Sequence, residues 1–338
     1  MKNKKKIWTA GVLCASMLAG MTAVPVSVQA DAVGTVTAAA EGTTCVSLGA
    51  DLTEEQRAEV LSLLGLTEED LSSDTVVTIT NEEEHQVLDD YLDASVIGDN
   101  SYSSSRLTAE KDGYGIQVQT KNITYCTSEM YQNALTTAGV KNADVTVAAP
   151  FAVTGTAALV GLTEAYSKMT GQALQAENVS TAADELVTTG KISDELQDPL
   201  KATELIAAVK GAVADLQSQS ASEAEDSTSA SSSSSGTQAT STGSGISDEK
   251  LDALIDEACQ KLGITLTDEG KQEIKDLMIK FEGLNLDSDT LKSQASDLYD
   301  KLKEKGIDIG LNKTDSMTIF DLLLDFIKQF QKLLRGGN

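Results

Sequence analysis

A run of three serines and one arginine is the densest group of side chains that could bind a small polar ligand. The run consists of Ser103, Ser104, Ser105 and Arg106, just ahead of a possible strand. Serine hydroxyls donate and accept hydrogen bonds, and arginine can hold a carboxylate or phosphate in a bidentate grip. A nucleophilic serine would also need a general base, and the sequence indicates none beside the run. The competing interpretation is a loop whose serines bond to local backbone groups.

A second candidate ligand site lies at Thr154, Gly155 and Thr156, between a predicted strand and a predicted helix. A turn that opens a helix can offer backbone N–H groups to an anion. This turn lacks the Gly-Lys-Ser/Thr ending of a phosphate-binding loop, and the chain has no Gly-x-Gly-x-x-Gly motif. The competing interpretation is a helix start at which glycine allows close packing.

His85 is the only histidine of the chain, in the segment NEEEHQVL. As a general base it would need a nucleophile and an orienting acid, a role open to Glu82, Glu83 or Glu84. The alternative is a partly exposed helix residue whose pKa these acids raise. One histidine cannot build a histidine-based zinc site, and no cysteine has a C-x-x-C or C-x-x-H neighbour. The sequence therefore predicts no metal site, no cofactor and no catalytic residue that can be named.

The first thirty residues predict a secretory signal peptide. Residues 1–6 are basic, the stretch from Ile7 to Val24 is mostly apolar, and Val28 and Ala30 are small residues ahead of Asp31. The competing interpretation is an uncleaved membrane anchor, and no later segment is apolar for long enough to span a bilayer. Cleavage would remove four lysines and no acidic residue, so the formal net charge would change from −26 to −30. Such an acidic chain argues against nucleic acid as a partner.

Three cysteines would remain after cleavage, at Cys45, Cys126 and Cys259. An odd number in an exported chain leaves at least one free thiol or one intermolecular bond. Cys45 and Cys126 both lie in the N-terminal half and form the possible disulfide pair. The alternative is that all three are small buried apolar side chains.

Strand-like and helix-like stretches alternate over residues 44–170 and predict an α/β or α+β domain, a mixed sheet with packed helices. Strands are predicted at Cys45–Leu48, Val76–Ile79, Ile116–Thr120 and Asp144–Ala149, the last of them ended by Pro150. Helices are predicted to open at Thr53, Asn81, Ser128 and Gly155. Gln56 follows Thr53, and Glu84 follows Asn81, at the three-residue spacing of a capping box.

From residue 180 onward the pattern becomes helical. We predict an α/β domain with trailing helices at 44–217, a Ser-rich linker at 218–245 and a four-helix bundle module at 246–335, after a disordered lead-in at 31–43. The bundle is either separate or docked on the first domain. Its terminal helix, 316–334, is apolar over a wide arc and either docks on a partner or membrane surface or packs within the bundle.

Four segments together, 47–65, 77–92, 122–161 and 262–287, give the chain a family likeness. In them the chain resembles the family of unknown function numbered 1002, the YpuA-like secreted proteins of Gram-positive bacteria. The resemblance covers most of the chain outside the Ser-rich linker. It implies an exported protein and supplies no catalytic residues.

The leading functional hypothesis is a secreted, non-enzymatic interaction protein of the bacterial cell envelope or extracellular space. Its partner there is unidentified. One alternative is an extracellular hydrolase with an unrecognised site in the α/β domain. The other is a binder of small ligands or anions that uses the turn at 154–156.

Overall fold

A five-stranded sheet organises the first half of the fold. The computed structural model describes residues 39–171, 173–227, 246–284 and 291. The strands are β1 (Thr44–Gly49), β2 (Thr75–Ile79), β3 (Ser104–Ala109), β4 (Ile116–Ile123) and β5 (Ala143–Val153). Five helices accompany them: α1 (Glu54–Leu64), α2 (Asn81–Leu88), α3 (Ala94–Ile97), α4 (Ser128–Ala138) and α5 (Thr156–Thr170), with a short 3-10 turn at Asp70–Ser72.

The strand order is β2-β1-β3-β5-β4. β1 pairs in parallel with β2, and β4 pairs in parallel with β5, whereas β3 runs antiparallel to both β1 and β5. Four strands therefore point the same way, and β3 alone opposes them. This mixed sheet with packed helices confirms the fold class that the sequence predicted.

Helices cover the two faces of the sheet unequally. On one face α4, α5 and the later helix α6 (Ala176–Leu196) bury the main core, which includes Leu107, Val145 and Leu162. On the other face α1 packs against a smaller cluster around Val46 and Leu48. Alternate residues of β1 therefore enter different cores, as the two-residue period of a strand requires.

β5 continues through Pro150 to Val153, so the predicted strand end at Pro150 is wrong. The neighbouring strand β3 pairs with β5 only as far as the Ser104–Ala148 pair. Pro150 lies beyond that point, where β3 no longer flanks β5. A missing backbone donor is tolerated at such an edge position.

A helical part follows the sheet. It comprises α6 (Ala176–Leu196), α7 (Pro199–Ser227), α8 (Asp248–Leu262) and α9 (Asp268–Glu282). α6 contacts both α4 and α9, and α7 contacts α4, α8 and α9. The residues of α7 to α9 share one apolar core. The first two predicted bundle helices are thus docked on α6 and α7.

Several predictions fall wholly or partly outside the described residues. These are the signal peptide, most of the lead-in, the Ser-rich stretch 228–245, the last two bundle helices and the terminal helix 316–334. α7 itself continues to Ser227, into the range where composition predicted a linker. None of the helices in the described part of the chain is long and apolar enough to cross a membrane.

Candidate functional site

The serine run and the 154–156 turn lie together at the end of the sheet where the parallel strands finish. β1 and β2 end there at Gly49 and Ile79, and β3 begins there at Ser104. The Ser103 hydroxyl accepts a hydrogen bond from the backbone N–H of Ala158, in the first turn of α5, at 2.9 Å. Open sheets that are largely parallel bind ligands outside the carboxyl ends of their strands. This end of the sheet is therefore the candidate site.

The serine run begins β3 and does not form the loop that was expected ahead of a strand. All three serines are buried. Ser104 Oγ accepts a hydrogen bond from the Gly49 N–H at 3.1 Å, and Ser105 Oγ lies 2.6 Å from Ser47 Oγ. The three serine hydroxyls bond the start of β3 to β1 and α5. They therefore stabilise this end of the sheet from its interior.

Arg106 projects onto the face that α1 covers, which is also the face of Ser104, two positions earlier in β3, and is opposite to the face of Ser105. Its Nη2 donates to Asp144 Oδ2 at 3.4 Å, and its Nε is buried without a hydrogen-bond partner. A Cβ added at Gly65, the C-cap of α1, would come within 3.3 Å of Nη1. The structure therefore places Arg106 on the opposite face of the sheet from Ser105 and α5.

The turn at 154–156 is closed by packing. Gly155 is the N-cap of α5 with φ of 101°, a left-handed conformation that favours glycine. Its carbonyl accepts a hydrogen bond from the Tyr131 hydroxyl at 2.5 Å, and Thr154 Oγ1 lies 3.3 Å from Thr156 Oγ1. A Cβ at Gly155 would lie 2.6 Å from both Ile123 Cγ2 and the Tyr131 hydroxyl.

An internal carboxyl group, that of Glu84, occupies the N-terminal end of α5. Thr156 Oγ1 donates a hydrogen bond to Oε1 of the buried Glu84 carboxyl group, which the Asn81 side chain also supports. Burial raises the pKa of Glu84 to about 7, against the opposing effect of the Thr156 hydrogen bond. A helix N-terminus favours an acidic group. The Glu84 side chain thus stands where an external anion would have to bind.

Glu84 turns inward because α2 is capped one residue earlier than the sequence predicted. Thr80 is the N-cap and forms a capping box with Glu83, in place of the expected Asn81 and Glu84. The next residue, Glu84, then lies on the buried face of α2 with Leu88, four positions later. The spacing of Glu84 from Leu88 was the signal available in the sequence.

His85 is not paired with a serine. Its Nδ1 lies 2.6 Å from Asp89 Oδ1, and its Nε2 lies 3.1 Å from the Gly98 carbonyl oxygen. The hydrogen bond to Asp89, then that to Gly98, raises the pKa of His85. Both ring nitrogens are thus engaged within α2 and the α3 C-cap, and Ser104 bonds elsewhere.

The candidate disulfide pair, Cys45 and Cys126, consists of two free, buried thiols, and Cys259 is a third. Burial raises the pKa of both Cys45 and Cys126 to about 12 and that of Cys259 to about 11. Since the thiolate is the reactive form, raised pKa values keep these thiols in their less reactive, protonated form at neutral pH. Within the described part of the chain, no three His, Cys, Asp or Glu side chains are grouped so as to hold a metal ion.

Sequence reasoning missed a buried polar cluster in the helical part. Lys210 Nζ donates to Glu185 Oε1 at 2.7 Å, to Thr137 Oγ1 at 3.1 Å and to the Asn133 carbonyl at 3.2 Å. Burial lowers the pKa of Lys210, and Glu185 opposes the shift. Lys210 lies four residues after the core residue Ile206, which was the available signal. The cluster joins α4, α6 and α7 and is closed to solvent.

An open cleft of about 320 Å³ lies between α8 and α9. Its lining residues are Asp252, Ile255, Asp256, Asp268, Lys271 and Gln272. Lys271 forms an ion pair with Asp256 at 2.6 Å, and Lys275 forms one with Asp252 at 3.0 Å. Lysines of α9 therefore already pair with two of the three acids, and no residue of the sequence-predicted site lies in the cleft.

Comparison with known proteins places the chain in a family. The family model for "Protein of unknown function (DUF1002)" matches residues 48–298. The chain is also 37% identical over 303 residues to "Uncharacterized protein YpuA" of Bacillus subtilis (strain 168), an alignment that spans 89% of this chain and 88% of that protein. No solved structure is significantly similar to the chain. These matches confirm the resemblance seen in the sequence: the chain belongs to the DUF1002 family, whose function is unknown.

Proposed function

We propose that this protein is exported and acts by binding a partner in the bacterial cell envelope or the extracellular space. The export part rests on the pattern of residues 1–30, a basic start followed by an apolar stretch and a small-residue cleavage signal before Asp31. The strongly acidic composition, with 52 acidic and 26 basic residues, favours a partner that is not itself acidic.

The binding part rests on one contrast between the interior and the surface. The potentially reactive side chains at the ends of the parallel strands already form hydrogen bonds within the protein, as Glu84 and Ser104 illustrate. Three large apolar side chains of the described chain are exposed, in contrast, and two of them, Phe151 and Val76, lie on strands of the sheet. Phe151 is 43% exposed and Val76 is 36% exposed. Binding of another molecule at these positions would remove apolar surface from water, which is favourable.

Phe151 has the features of an anchor residue. It lies on the part of β5 that extends past β3, and its ring packs edge-on against Tyr102 with centroids 5.0 Å apart. An aromatic side chain already held by a neighbour loses little conformational freedom on binding, and aromatic residues dominate the energetics of interfaces. The Phe151–Tyr102 pair is therefore the first position to probe for a partner.

The proposal is tested by photo-crosslinking in living cells. The full chain is produced in a Gram-positive host with a photoreactive phenylalanine analogue at position 151 or 76, and at the exposed helix position 55 as the matched control. We expect the mature protein in the medium or on the cell surface to begin at Asp31. Irradiation should give a discrete adduct from position 151 or 76 and none from position 55.

Two results would contradict the proposal. Retention of residues 1–30 on protein that stays inside the cell would refute export. Equal labelling at all three positions, or no adduct at positions 151 and 76 on exported protein, would refute partner binding at the sheet rim.

A further inference from the structure

β2 lies at one edge of the sheet formed by the described residues. It pairs with β1 alone among the strands of the described chain. Its sequence, TVVTI, contains only β-branched residues, with no charge, proline or glycine. Val76 and Thr78 are exposed, while Val77 and Ile79 are buried against the helices. A free, uncharged edge of this kind readily pairs with another strand.

The opposite edge of the same sheet is protected. β4 carries the exposed residues Gln119, Lys121 and Asn122. Its pairing with β5 is irregular between Lys121 and Ile123, and Asn122 adopts a left-handed φ of 60°. A lysine and a bulge are two devices by which proteins block strand addition. The two edges of this sheet therefore differ in the property that controls pairing with another chain.

The charge around β2 selects the kind of strand that could pair there. The segment 66–97, which contains β2, has ten Asp and Glu residues and no Lys or Arg. Asp74 directly precedes β2, and Glu82 follows it on the exposed side of α2. A second copy of this chain would bring the same acids to the same edge, and like charges opposite one another disfavour pairing. A strand with basic ends has the complementary charge.

We propose that the β2 edge is a docking site for an extended segment of a partner polypeptide, with β-branched residues at its centre and lysine or arginine at its ends. The backbone of that segment would continue the sheet beyond β2, and its central side chains would lie beside Val76 and Thr78. Its basic ends would face the acids before and after β2. This inference rests on the proposed function and specifies the class of its partner.

The test uses two fluorescent peptides that differ only in terminal charge. They are Lys-Val-Thr-Val-Thr-Val-Lys and Glu-Val-Thr-Val-Thr-Val-Glu, each with blocked termini. We expect saturable binding of the first by fluorescence anisotropy, with a Kd below about 1 mM, and at least about tenfold weaker binding of the second. Bound peptide should slow hydrogen exchange of β2 amides and leave β4 amides unchanged.

Variants of the two edges provide matched controls. Val76→Lys should weaken the Lys-ended peptide about tenfold and strengthen the Glu-ended one, whereas Gln119→Lys on β4 should change neither. If Val76→Lys alters the thermal midpoint of the protein, Thr78→Lys replaces it. Equal affinity for both peptides, no saturable binding, or equal effects of the β2 and β4 variants would overturn the proposal. A crosslinked adduct at position 151 without peptide binding would refute this docking site and leave the proposed function standing.

Discussion

At the scale of single residues, the carboxyl group of Glu84 has a structural role although it is of a chemically reactive type. Its carboxyl group is buried between α2 and α5, with one oxygen bonded to Thr156. Asp51 adds to the pKa increase that burial causes, while His85 opposes it. A carboxyl group in this setting is most stable when it is neutral.

The pKa of Glu84 predicts a specific pH dependence of stability. The folded chain holds this proton with a pKa of about 7, whereas the ordinary value is 4.5. The contribution of Glu84 is therefore greatest below about pH 4.5 and is lost as the pH rises through about 7. Between pH 5 and pH 8, we expect the wild type to lose on the order of 3 kcal/mol more than Glu84→Gln does.

Urea unfolding at four pH values between 5 and 8 measures this difference. Other groups titrate in both proteins, among them Glu204, whose pKa burial raises to about 8. Only the difference between the two curves reports on Glu84. Stability curves that run parallel over the whole pH range would contradict a raised pKa at Glu84.

At the scale of elements, the two ends of α5 show what each glycine does. Gly155 and Gly171 both adopt positive φ, at 101° and 67°. A Cβ at Gly155 would meet Ile123 and Tyr131, whereas a Cβ at Gly171 would meet nothing within 4 Å. Glycine is therefore needed at position 155 for both the left-handed backbone and close packing. At position 171 it is needed for the left-handed backbone alone.

This difference makes alanine substitutions at the two glycines a matched pair. Gly171→Ala should lower the free energy of unfolding by about 1 kcal/mol, the cost of a side chain in the left-handed region. Gly155→Ala should lower it by on the order of 3 kcal/mol, because overpacking adds to that cost. Thermal and urea denaturation of both variants measure the effect, and equal losses would show that the 154–156 turn is not tightly packed.

At the scale of the whole molecule, the sheet and the helical part share a buried polar core. Lys210 of α7 and Glu185 of α6 form an ion pair that also bonds to Thr137 of α4, a helix on the sheet. Lys210 Nζ lies 5.4 Å from the centre of the Phe281 ring of α9. One network therefore touches helices from both parts of the fold.

Breaking this pair on one side should cost more than removing both partners. Lys210→Met leaves the Glu185 carboxylate buried without its cation, and we expect a loss of about 3–5 kcal/mol of unfolding free energy. The double variant Lys210→Met/Glu185→Leu should recover most of that loss, since no isolated charge remains. Urea unfolding of the wild type, the single variants and the double variant measures the coupling. Additive losses would contradict an interacting pair.

Much of the element content was predictable, because it depends on local patterns. The β-branched run at Val76–Ile79 and the Thr53–Gln56 capping box both appear where the sequence placed them. The start of β3 within the serine run and the cap of α2 at Thr80 did not follow from local propensity. Serine is a poor indicator of a strand, and two adjacent capping boxes were equally compatible with the sequence around Thr80.

Local sequence patterns were enough to predict the fold class, the family and the inward-facing pattern of the strands, since composition, hydrophobic period and turn residues are properties of short segments. The tertiary structure, in contrast, assigned the polar residues their roles. It closed the 154–156 turn with Glu84, 72 positions before Thr156, and joined Ser104 to Gly49 across 55 positions. Such contacts arise from the order of strands and the packing of helices, which local propensity does not specify. The same order leaves β2 at one edge of the described sheet, which is where the proposed partner strand would add.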